Sequence, residues 1–149
     1  MKRFFAMCLI TITCLITSAC SYRINFVVIN KSNSVLEVEY TVVHRDSNPS
    51  KMSLDVWDKW FGEKQWQEIS HEEYQFDAET EKFKVNVAPN EVLKVLSTWD
   101  GMYFIEDYKN FEIISIKISG KNGTIAYEGN QLFKQFEEKN YTNRFIIYK

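Results

Sequence analysis

Hydrophobic and polar residues alternate with a period of two along most of the chain after residue 21, the pattern of half-buried β-strands. Tyr22, Ile24, Phe26 and Val28 alternate with Arg23 and Asn25, and Leu36, Val38, Tyr40 and Val42 alternate with Glu37, Glu39 and Thr41. The polar run 30–34 lies between them, so the two strands are expected to pair as an antiparallel hairpin. Residues 45–51 read as a loop. After Ser53, the spacing of Leu54, Trp57, Trp60 and Phe61 suits one face of a short helix that Gly62 ends. Ser70 and Glu73 have the spacing of a capping box, yet Tyr74 and Phe76 alternate as a strand does, and a strand is the preferred reading there.

The second half repeats the theme. Phe83, Val85 and Val87 alternate, Pro89-Asn90 turns the chain, and 91–98 supplies another strand that Asp100-Gly101 breaks. Ile114, Ile116 and Ile118 alternate with Ser115 and Lys117. Asn122-Gly123 then favours a tight hairpin returning through Thr124 to Tyr127. Residues 131–139 read as a helical turn with Leu132, Phe133 and Phe136 on one side, and a final strand carries Phe145 and Ile147. About seven or eight short strands separated by turn signals, with no βαβ alternation, predict an all-β fold. The expected form is one antiparallel β-sandwich, Ig-like in architecture, with one or two short helical turns. A small closed barrel is the alternative.

Composition agrees with one packed domain. The chain has 149 residues, 45% of them hydrophobic, with five glycines and two prolines, so collagen-like and low-complexity classes are excluded. A formal charge of −2 gives no electrostatic basis for binding nucleic acid.

The first twenty residues have another pattern. Met1-Lys2-Arg3 is a basic start, residues 4–22 carry no charge, and 4–16 are strongly apolar. A basic start, an apolar stretch and then small residues read as a secretory signal peptide. Ile16-Thr17-Ser18-Ala19-Cys20 resembles the lipobox of bacterial lipoprotein precursors, with Thr17 where that family more often has leucine. The resemblance covers the leader alone. It implies cleavage before Cys20, diacylglycerol on the Cys20 sulfur, and a lipid-anchored domain 20–149 after a signal peptide 1–19. It also implies a place in the cell envelope outside the cytoplasm. Ser21 implies the outer membrane where the source has one. Three other readings stand beside it: ordinary cleavage after Ala19, retention of the leader as a membrane anchor, since it approaches the ~20 apolar residues a span requires, and a cytosolic core helix, against which stands the alternating pattern that begins at Arg23.

The cysteines are Cys8, Cys14 and Cys20, so on the lipoprotein reading the mature domain has neither a free thiol nor a disulfide and must hold by packing. Loss of Lys2 and Arg3 leaves 16 basic against 20 acidic residues, a net of −4. Attachment then comes from acyl chains rather than from charge.

Candidate chemistry is sparse. His71-Glu72-Glu73-Tyr74-Gln75 begins like a zincin helix but lacks the second histidine, and His44 reads as a strand-end residue. Asp77, Glu79 and Glu81 start like a calcium loop, but Lys82 replaces the required glycine and Ala88 the closing glutamate. No nucleophile elbow, phosphate loop or dinucleotide fingerprint is present. The expectation is a domain without catalytic residues, metal or cofactor, serving as a protein-binding or envelope-assembly module for an envelope partner. The alternatives are glycan or cell-wall binding through Trp57 and Trp60, exposed aromatics being apt for stacking on sugars, and a small hydrolase using surface carboxylates. Against the first stands burial of those rings in the core, the more usual place for tryptophan.

Overall fold

The computed structural model describes residues 22–43, 48–59, 66–100, 112–140 and 143–149. They form an all-β sandwich of two sheets with two short helices. The strands are β1 (Tyr22–Asn30), β2 (Leu36–Val42), β3 (Ser50–Ser53), β4 (Gln67–Glu68), β5 (Tyr74–Asp77), β6 (Lys82–Val87), β7 (Glu91–Asp100), β8 (Ile113–Gly120), β9 (Gly123–Glu128), β10 (Glu137–Asn140) and β11 (Asn143–Tyr148). The helices are α1 (Leu54–Lys59) and α2 (Gly129–Gln135). One sheet has the order β10-β11-β1-β7-β3-β4 and the other β5-β6-β2-β8-β9. All neighbours are antiparallel except β1 and β11, which run parallel, with Val27 opposite Phe145.

The expected hairpin of β1 with β2 does not form. β1 pairs with β7 and β11, while β2 pairs with β6 and β8 in the facing sheet. The reason is that β1 is apolar on both faces. Ile24, Phe26 and Val28 enter the main core between the sheets, while Val27 and Ile29 join a second cluster with Met52, Trp57 and Val92 on the outer side of the same sheet. A strand of that composition is stable only in the middle of a sheet covered on both sides. β2 keeps the clean alternation of a strand with one wet face.

Three further departures are local. Ser50 and Lys51 belong to β3 rather than to a loop, because they pair with Lys94 and Leu93 of β7. Ile113, not Ile114, is buried, since the register slips between Thr41 and Val42 and exchanges the faces of β8 at its start. The helix expected over 131–139 ends at Gln135; Phe136 turns extended into the core, edge-on to Phe26 at 5.2 Å, and β10 follows.

α1 begins as anticipated at Ser53, whose Oγ accepts from the Val56 N–H at 3.4 Å, with Asp55 in the first turn where a negative charge is favoured. Between the sheets, Tyr40 stacks on Phe83 at 5.1 Å and Phe76 packs against the same ring at 4.6 Å.

The register also orients the molecule. Tyr22 lies opposite Asp100 at one end of the first sheet, and Asn30 opposite Tyr148 at the other. The start of β1 and the 31–35, 88–90 and 121–122 connections are therefore at opposite ends.

Candidate functional site

α1 roofs the outer face of the first sheet, beside β4, which forms that sheet's edge next to β3. Trp57 is inserted beneath this roof and is only 1% exposed. Its indole meets that of Trp66 edge-on, centroids 6.1 Å apart. Trp66 is half-buried and keeps a surface, with Lys94 Nζ 4.9 Å from its ring centroid. A cation held over an indole is attracted by the ring's negative face, which fixes the ring as a wall.

That wall bounds a cleft of about 530 Å³, whose other described lining residues are Lys51, Met52, Ser53, Val56, Gln67 and Glu91. Met52 and Val56 make an apolar floor. Lys51 Nζ lies 3.6 Å from Glu91 Oε2, so the rim carries a partly buried ion pair. Glu91 Oε2 also accepts from the Ala88 N–H at 2.7 Å, which ties the carboxylate to the β6–β7 turn. The cleft thus combines an aromatic wall, an apolar floor and a few fixed polar groups, the usual make-up of a binding site.

Of the residues singled out in the sequence, Trp57 is core rather than cleft surface, and Trp60, His44 and Cys20 lie outside the described residues. Trp66 is the tryptophan that reaches the cleft. Lys51 and Glu91 could not be associated from the sequence, because they are brought together only by the pairing of β3 with β7.

The other chemical candidates are occupied in structural roles. His71 Nδ1 and the Tyr74 hydroxyl share a hydrogen bond of 2.6 Å, and that hydroxyl reaches Asn48 Oδ1 at 3.2 Å. Asp77 organises the β5–β6 turn: its Oδ1 accepts from the Glu79 N–H at 2.9 Å and its Oδ2 from the Thr80 hydroxyl at 2.7 Å. The Thr80 bond is the main reason its carboxyl titrates below the usual range. Ser70 and Glu73 close a turn rather than cap a helix: the Glu73 carboxylate accepts from both the Ser70 N–H and its hydroxyl, the Glu73 N–H donates to the Ser70 carbonyl oxygen, and the Ser70 hydroxyl lowers the Glu73 pKa. Among the described residues, no group of three or more His, Cys, Asp or Glu side chains is placed to hold a metal ion.

Among the described residues no helix is long and apolar enough to cross a membrane. No protein-family model matches the chain, and comparisons with curated proteins and with solved structures find no match.

Proposed function

We propose that this chain is a lipid-anchored domain of the cell envelope, held by diacylglycerol on Cys20, that binds an envelope partner and does not transform a substrate. The observation that carries the binding role is the cleft walled by Trp66, a rigid amphipathic recess on the outer face of a covered sheet. Its fixed polar groups, Lys51 and Glu91, are engaged with each other, an arrangement suited to orienting a ligand rather than to proton transfer. The anchor rests on the leader residues 1–20. In this reading β1 starts two residues beyond the acylated cysteine, so the sandwich sits close to the bilayer with the end that contains Asp100 towards it.

A glycan is the second reading, favoured by one observation: an indole wall beside hydrogen-bonding groups, here Gln67, Ser53 and Lys51, is a platform on which a sugar ring can stack. Trp66, not Trp57, would then supply the ring.

Intact mass of the membrane-extracted protein tests the anchor. The expected mass is that of residues 20–149 plus acyl chains, lost in Cys20→Ala; a retained leader would overturn it. For the cleft, in-cell cross-linking from a photoreactive residue at position 67 should trap an envelope protein, and Trp66→Ala should abolish the adduct. Quenching of tryptophan fluorescence by soluble cell-wall fragments, without an adduct, would favour the glycan instead.

A further inference from the structure

Three lysines converge at the end of the sandwich opposite Tyr22. Lys31 comes from the β1–β2 connection, Lys121 from the β8–β9 turn and Lys149 from the residue after β11. With Ser32, Asn33, Ser34 and Asn122 they line a cleft of about 310 Å³. No carboxylate side chain is among its described lining residues. Glu91 and Glu37, near the starts of β7 and β2, are paired with Lys51 and, at 2.7 Å, with Lys84.

This concentration of positive charge runs against the chain's formal charge of −2. Lys31, Lys121 and Lys149 are the charged side chains among its described lining residues, and all are positive. Like charges gathered in one recess repel, and an anion that enters relieves that repulsion.

The frame behind the lysines is rigid. Asn30, fully buried, accepts from the Ser32 N–H and hydroxyl at 2.9 and 2.7 Å, which shapes the connection that carries Lys31. The Tyr148 hydroxyl donates to the Gly123 carbonyl at 2.9 Å and fastens the turn that carries Lys121. Asn122 Nδ2 reaches the Lys149 carbonyl oxygen at 3.4 Å.

We propose that this cleft is an anion site for a phosphate-bearing ligand with more than one charged group. Ammonium groups are point charges that approach from separate directions, which suits the tetrahedral oxygens of phosphate. A planar carboxylate is better met by the arginine fork, and no arginine is among the described lining residues. The Asn33 and Asn122 amides add uncharged donors, and the volume exceeds what a single small anion fills. The inference does not depend on the Trp66 cleft and stands if that reading fails.

Calorimetric titration of the full chain in neutral detergent with inorganic pyrophosphate tests it. A saturable one-to-one isotherm is expected, weakening as salt rises because the lysines are exposed. Lys31→Gln with Lys121→Gln should reduce affinity by about tenfold or more. A control with the same charge change at the other end of the sandwich, Lys82→Gln with Lys134→Gln, should leave it nearly unchanged. Flotation with phosphatidylglycerol vesicles separates the sources. Vesicle binding by Cys20→Ala that pyrophosphate displaces would identify a lipid phosphate, and binding of pyrophosphate alone a soluble one. The proposal is overturned by the absence of a saturable isotherm with pyrophosphate, or by equal weakening in both lysine pairs.

Discussion

The side chain of Asn30 joins the two sheets: its Nδ2 donates to the carbonyl oxygen of Val87, 57 residues further along the chain, at 3.0 Å. The same nitrogen donates to the Ser34 carbonyl at 2.8 Å, while Oδ1 accepts from both the backbone N–H and the hydroxyl of Ser32. Every hydrogen-bonding position of a fully buried amide is filled, at the point where the chain leaves one sheet for the other. Asn30→Ala would leave the Val87 and Ser34 carbonyls without this donor. A loss of about 3 kcal/mol is expected from chemical denaturation, larger than for Ser32→Ala, because each buried group left unpaired costs about 1–3 kcal/mol.

Gly120 is a second fixed point at this end. A Cβ there would stand 2.6 Å from Leu36 Cδ2 and 2.9 Å from the Tyr148 hydroxyl oxygen, closer than packed atoms tolerate. Gly120→Ala is therefore expected to destabilise by about 1–3 kcal/mol through overpacking. Trimming Leu36 to alanine in the same chain should recover part of that, so a double-mutant cycle should show favourable coupling. Gly123→Ala meets no atom within 4 Å, so any cost there belongs to its backbone φ of 131° and should not couple to Leu36.

The strands were readable because a strand with one wet face writes its burial into alternate residues, and β2, β6 and the middle of β8 do so. What could not be read was the partner of each strand. β1 looks alternating when Arg23 and Asn25 are weighed against Ile24 and Phe26, but Asn25 is itself buried and bonded to the Ser97 hydroxyl at 2.9 Å. Its place in the centre of a sheet depends on β7 and β11, which are far away in sequence. The start of α1 was legible through a local device, Ser53. The Trp66 cleft was not, since it is assembled from β3, α1, β4 and the start of β7.

The tryptophans should separate cleanly by stability. Trp57→Ala empties a fully buried site beneath α1 and is expected to cost about 3–5 kcal/mol. Trp66→Ala removes a half-buried wall and should lower the melting temperature much less while removing partner cross-linking. Thermal melts and cross-linking on the two variants check this. A Trp66 variant that unfolds as readily as the Trp57 variant would mean that its indole holds the roof in place and is not chiefly a binding surface.

Acid should weaken the fold through specific carboxylates. The Lys117 ammonium, 3.1 Å away on the neighbouring strand and hydrogen-bonded to it, holds Glu39 below the ordinary glutamate value despite an opposing effect of burial. Glu73 and Asp77 are lowered as well, by the Ser70 and Thr80 hydroxyls first. A folded pKa below the unfolded one means that stability is present above the unfolded value and is lost as pH falls through the folded one. The losses should therefore begin near pH 4.5 and grow below it. Lys84 has the opposite sign: its hydrogen bond to Glu37 raises its pKa, so its contribution persists up to the ordinary lysine value and is lost only as pH climbs through the folded one. Urea midpoints measured against pH for the native chain and Glu39→Gln should differ by a modest amount at neutrality, under about 1 kcal/mol for a solvent-screened pair. The two curves should converge below pH 4.5, where Glu39 takes up its proton and the ion pair with Lys117 is lost in both proteins. A gap that stays constant into strong acid would show that the glutamine variant acts through packing rather than through this charge.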